Sequence, residues 1–196
     1  MVKESLTLAV AMGGPSSEHD ISLKSGQGVV EALARRGWKP QPLVIPPDVS
    51  AEEARQWTRR AFKRMACDVV FLALHGAFGE DGSLQQLCEE LRIGYTGSDA
   101  AASRLGLDKI ASRGRFERAG LSVPRWSIIP FESHETLRMD PAHVPDSSGG
   151  AGCRPPRDVV DGIYGLPGGL HGLQYPLVVK PTDQGSSIGV SKVTCR

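Results

Sequence analysis

A chain of 196 residues, 40% hydrophobic and 23% charged, has the composition of a globular protein that buries a core, and its length suits one large or two small domains. Its formal net charge of +1, with no dense Lys/Arg block interleaved with aromatics, supplies no electrostatic footprint for nucleic acid or an anionic membrane. Four cysteines, at 67, 88, 153 and 195, share no CxxC spacing, so disulfide and zinc readings are weak; Leu6 to Met12 is too short for a signal peptide or membrane helix, and a cytoplasmic setting is expected.

In chain order, Leu6–Met12 reads as a buried strand and Gly13 to Ser17 as a loop. Ile21 to Arg36 carries Val29, Val30 and Leu33 on one helical side, with Gly37 as a stop. Leu43–Ile45 is a short second strand ended by Pro46 and Pro47, Ala51 to Met65 a basic amphipathic helix, and Val69–Leu74 the clearest strand. A glycine-rich turn leads to a helix over Ser83 to Leu91, where Leu84, Leu87, Cys88 and Leu91 fall at helical spacing. Strands alternating with helices imply a parallel sheet with functional loops at its carboxyl edge. Asp108 can cap a further helix running to Ala119, with Gly120 as its stop, and Val123–Ile129 is expected to be extended. Residues 139–174 are Gly/Pro-rich with little apolar periodicity and read as a surface insertion or loop. Val178–Lys180 and Ile188–Val190 frame a Gly-Ser loop, the pattern of two strands joined by a lid of amides, hydroxyls and one cation that suits phosphate oxygens.

Several residues stand out for their chemistry. Glu18, between the first strand and first helix, suits either a helix cap or a grip on a substrate ammonium; we assign it the grip and give the cap to Asp20 or Ser22. His75 follows the third strand in a loop with three glycines, where Glu80 and Asp81 could orient it or cap the next helix. Lys109 alone reads as a solvated lysine. Lys180 ends an apolar strand and either snorkels to the surface or points its ammonium into a cleft, the latter favoured by Gly185-Ser186-Ser187-Ile188-Gly189. Neither a Walker A pattern nor GxGxxG is present, and no nucleophile elbow surrounds Ser186.

Taken together, Gly13 to Ser22, His75 to Gln85, Tyr95-Thr96-Gly97-Ser98, Asp108-Lys109 and Lys180 to Val193 resemble the D-alanine–D-alanine ligase family of the ATP-grasp superfamily. The resemblance implies an α/β fold: a Rossmann-like parallel-sheet domain over residues 1–104, then the first α+β subdomain of an incomplete ATP-grasp fold over residues 105–196. It implies condensation of two D-alanines for peptidoglycan precursors, using ATP and Mg2+ (or Mn2+), through an acyl phosphate on the first substrate. Glu18 would bind the first D-alanine's ammonium, Ser186 would hydrogen-bond to Glu18 and help hold that substrate, and the two form the implied catalytic pair. His75 would lie near the first substrate; Lys109, Lys180, Gly185, Ser186 and Ser187 would contact ATP. The family is commonly a homodimer through its N-terminal domain.

Gln86 departs from the family's usual glycine, which a helix tolerates. The family's acidic magnesium ligands, phosphate-steadying arginine and second-substrate loop would all lie beyond Arg196. The 196-residue chain alone is therefore expected neither to form D-alanyl-D-alanine nor to hold ATP tightly. Ligation of D-alanine to D-lactate or D-serine, and a non-catalytic remnant, are the alternative functions.

Overall fold

The computed structural model describes residues 6–128, 173–183 and 189–194. The elements are β1 (Leu8–Gly13), α1 (His19–Arg35), β2 (Gln41–Ile45), α2 (Ala51–Met65), β3 (Val69–Leu72), α3 (Ser83–Leu91), β4 (Gly94–Tyr95), α4 (Ala100–Leu107), α5 (Lys109–Arg118), β5 (Leu177–Val179) and β6 (Ser191–Val193). Described residues of Met1–Leu121 and Thr182–Ile188 form one compact unit, and those of Ser122–Pro181 and Gly189–Arg196 a second. The expected insertion at 139–174 falls almost wholly outside the described residues.

The first unit is built on a four-stranded parallel sheet of order β2-β1-β3-β4. Side chains alternate across a strand, and β1 uses both faces. Ala9 and Ala11 join α2 and α3 through Ala54, Ala61, Phe62, Leu84 and Leu87. Val10 and Met12 point the other way, against Leu23, Val29, Val30 and Leu33 of α1. Helices thus cover both faces, which is why the central strand is apolar at every position. The connection from β1 moves to one side of the sheet to make β2, and the chain then returns to the other side for β3. That reversal opens a crevice at the carboxyl ends of β1 and β3.

The expected strand to Leu74 stops at Leu72. Its partner β1 runs on to Gly13, but after the Ala73 amide bonds the Ala11 carbonyl the Ser22 hydroxyl takes both the Gly13 amide and the Ala73 carbonyl, so the β1–β3 ladder goes no further. Leu74 is buried all the same, packed so closely on Gly79 that a methyl group there would come within 2.3 Å of its Cβ. Helix α4 was not expected, because its mostly exposed face carries no apolar stripe; Asp99 starts it by accepting from the Ala102 amide. Asp108 caps α5 as expected, accepting from the amides of Ile110 and Ala111. Residues 123–128, expected to be extended, pair with neither sheet, and Pro124 lacks the donor a ladder needs.

In the second unit β5 and β6 pair antiparallel, Leu177 opposite Val193 and Val179 opposite Ser191. Two strands were expected around the Gly-Ser loop, but the second, β6, begins only at Ser191, after the expected Ile188–Val190: Gly189 is left-handed (φ +68°), and residues 184–188 lie outside the described set.

Candidate functional site

The loops leaving β1 and β3 meet at the crevice, and serines join them. Ser22, one turn into α1, is fully buried. Its hydroxyl accepts from the Gly13 amide and donates to the Ala73 carbonyl, both at 2.8 Å, so one side chain ties α1 to the ends of both strands. Ser22 is therefore a strut and not the helix cap expected of it. Ser16 makes a second link: its hydroxyl donates to the His75 carbonyl at 2.8 Å and accepts from the Glu18 amide at 3.2 Å.

Glu18 occupies the N-cap position of α1, yet its side chain makes no capping hydrogen bond. It is only 4% exposed. A methyl group added at Gly76 would come within 2.7 Å of Glu18 Oε2, so the carboxylate lies directly against the β3 loop. The backbone at Gly76 has φ +67°, a conformation that glycine adopts without strain. Glycine is needed here twice, for its conformation and for the space it leaves the carboxylate.

His75 lies in the same loop. Its Nε2 is 2.9 Å from Ser25 Oγ, and its Nδ1 is 3.7 Å from Glu80 Oε1. The other oxygen of Glu80 accepts from the Gly76 amide at 3.0 Å. Asp81 takes a different part, accepting from the amides of Phe78 and Ser83 at the start of α3. Gln85 donates to the Gly79 carbonyl at 2.7 Å and fastens the loop from below. The two acidic residues thus divide the roles left open for them, with Glu80 beside the imidazole and Asp81 shaping the helix entrance.

A cavity of about 590 Å³ opens beside this loop, lined among others by Ser25, His75, Glu80, Gln85, Thr96 and Ser98. Glu18 abuts the loop at Gly76 and is not among the lining residues. Tyr95 donates to Glu89 at 2.7 Å, and burial followed by that bond pushes its phenol up to about 12. Thr96 hydroxyl accepts from the Leu72 amide at 3.0 Å, closing the edge of β3 where β4 ends.

Of the residues singled out by sequence, Glu18 and His75 converge. Lys109 opens α5, its amide donating to the Thr182 carbonyl at 3.0 Å within the first unit. Lys180 is exposed just after β5 in the second unit. Gly185, Ser186 and Ser187 lie outside the described residues. Sequence reasoning passed over Ser16, Ser25 and Gln85. The available signal was the i, i+3 spacing of Ser22 and Ser25 on the helix side that also carries Gly26, Val29, Val30 and Leu33: hydroxyls on an otherwise apolar stripe.

Comparison with known proteins agrees with this fold. The family profile for the D-ala D-ala ligase N-terminus matches residues 46–98, and that for the D-ala D-ala ligase C-terminus matches residues 170–196. Along 186 residues, 95% of this chain, it is 36% identical to D-alanine–D-alanine ligase of Anaeromyxobacter dehalogenans. The chain belongs to the D-alanine–D-alanine ligase family. Another relative in this family, from Laribacter hongkongensis, is 37% identical over 95% of the chain. The chain spans about half the length of the curated relatives it matches, 48% and 47% for these two.

Solved D-alanine–D-alanine ligase structures share the fold. The Bacillus anthracis enzyme complexed with ATP superposes with a TM-score of 0.60 at 26% identity, covering 98% of this chain and 51% of that one. The Helicobacter pylori enzyme, at 19% identity and a TM-score of 0.61, supports the fold alone. Among the described residues, no helix is long and apolar enough to cross a membrane.

Proposed function

We propose that this chain serves ATP-dependent ligation of D-alanine to D-alanine, with the crevice at β1 and β3 holding the first D-alanine. One observation carries this function: a buried carboxylate at a helix N-cap position makes no capping bond and instead lies against the loop that bears His75. A buried carboxylate beside an open crevice suits a small ammonium, which supplies both charge and donors.

In this function Glu18 binds the first substrate's ammonium and His75 faces its carboxylate, where the acyl phosphate forms. ATP supplies the γ-phosphoryl group that the carboxylate accepts. Lys109, Lys180 and the segment Gly185 to Ser187 provide cations, amides and hydroxyls for its phosphates. Phosphoryl transfer depends mainly on positioning and charge neutralisation, so it needs no covalent nucleophile from the chain. Ser186 assists Glu18 in holding the substrate. Among the described residues no three His, Cys, Asp or Glu side chains form a metal-holding group. The N-terminal unit from residue 1 to 104, the ATP-grasp portion from 105, the cytoplasmic setting and homodimerisation through the first of these belong to the same proposal.

The test joins this chain to the remaining half of the Anaeromyxobacter relative and measures D-alanine-dependent phosphate release. The chimera should turn over D-alanine and not L-alanine. Glu18→Gln should lower kcat/KM for the first D-alanine by roughly 3 kcal/mol, about a hundredfold, mostly through KM. A folded, ATP-binding chimera that ignores D-alanine, or an unchanged kcat/KM in Glu18→Gln, would refute the assignment.

A further inference from the structure

We propose that Ser25 fixes the tautomer and ring orientation of His75 and so acts as a positioning residue; its importance for ligation rests on the proposed substrate-facing role of His75. The placement starts with Ser22, whose buried hydroxyl pins α1 to the ends of β1 and β3. Ser25 follows by three residues, on the same side of the helix, and so is delivered to the mouth of the crevice. Its Oγ is 2.9 Å from His75 Nε2.

The direction of that bond follows from the other ring nitrogen. Glu80 Oε1 lies 3.7 Å from Nδ1, beyond a hydrogen bond but close enough for its charge to favour a proton there. Glu80 is itself held, its other oxygen taking the Gly76 amide. A neutral imidazole carries one N–H, so with Nδ1 protonated Nε2 presents a lone pair. The Ser25 hydroxyl therefore donates to Nε2. Flipping the ring would turn a C–H toward the hydroxyl and lose this bond. Ser25 and Glu80 thus hold one ring orientation and one tautomer at the wall of the cavity, which both residues also line.

Nitrogen-15 NMR of the His75 ring in the 196-residue chain tests this directly. The wild type should show protonated Nδ1 and unprotonated Nε2 as a single species. Ser25→Ala, a favourable change on a helix, should keep the melting temperature while the Nδ1–H signature is lost to a mixture with Nε2–H. Ser25→Thr, which retains the hydroxyl, should restore the single species. Two results would overturn the inference: a wild-type ring protonated at Nε2, or a Ser25→Ala spectrum identical to wild type. Titrating D-alanine into the chimera, in which the ligase is complete, separates this inference from the proposed function. Ring signals that shift with D-alanine support the substrate-facing role; a correct tautomer with no D-alanine response defeats that role and leaves the Ser25–His75 coupling standing.

Discussion

At the scale of single residues, the crevice depends on groups that leave room or supply one bond. Gly76 is the sharpest case, with a left-handed backbone and the Glu18 carboxylate where a side chain would go. Gly76→Ala should cost about 1–2 kcal/mol for the backbone alone, and should push Glu18 out of place. Urea unfolding reads the first effect and D-alanine affinity the second; an alanine variant as stable and as tight-binding as wild type would remove Gly76 from the site. Cys88 makes a separate prediction. Burial first, then the neighbouring Cys67 and Glu89, pushes its thiol from 9.0 up to about 12. The unfolded chain loses this proton near pH 9 while the folded chain keeps it, so the stability is fully present below pH 9 and is lost as pH rises toward 12. Between pH 9 and 10 the unfolding free energy should fall, by at most about 1.4 kcal/mol per pH unit. Tyr95, also pushed up to about 12 from 10.0, adds to the loss above pH 10, so the lower window isolates the thiol. Urea midpoints across that window check it, and Cys88→Ala should flatten the slope even though it weakens the core.

At the scale of elements, α2 shows how local chemistry decides where a helix begins. Ser50 and Glu53 form a reciprocal capping box, the serine hydroxyl accepting from the Glu53 amide while the Glu53 carboxylate takes the Ser50 amide. The Ser50 hydroxyl and then its amide hold the Glu53 carboxyl below its usual range. Ser50→Ala should cost about 1 kcal/mol in urea unfolding, and the loss should shrink as acid protonates Glu53. Equal stability at neutral pH would mean that tertiary packing alone holds this end. The same element explains what the sequence could disclose. Helix α2 has both a cap and an apolar stripe, and its bounds agree with the expectation at both ends, as do those of α3. Helix α4 has a cap but no stripe, so periodicity passed over it. Strand β3 was overrun by two residues because Ala73 and Leu74 are as apolar as the strand itself, and the ladder is stopped only by the Ser22 hydroxyl, which arrives from α1 to take the Gly13 amide and the Ala73 carbonyl. Glu18 and His75 were visible as polar residues in glycine-rich loops after strands. Ser16 and Ser25 were not, since their roles arise from contacts spanning 59 and 50 residues of chain.

At the scale of the whole molecule, the buried core and Lys180 fall in different units of the chain. Every buried hydrophobic residue among the described ones belongs to the first unit except Val193 of β6. Cooperative unfolding should therefore report chiefly on the parallel sheet and its helices. Lys180 is exposed and follows a three-residue strand in the second unit, so removing its ammonium should leave that unfolding transition almost unchanged. If the ammonium instead serves ATP phosphates, the cost should appear only when nucleotide is present. In the chimera with the relative's remaining half, Lys180→Ala should weaken ATP binding by about tenfold or more, with the apo melting temperature held within a degree or two. Lys180→Arg should recover part of the affinity, because it restores charge with a different donor geometry. Isothermal titration and a melting curve on the same preparation decide the matter. Normal ATP affinity with a lowered melting temperature would make Lys180 a structural residue of the β5–β6 pair and remove it from the proposed phosphate site.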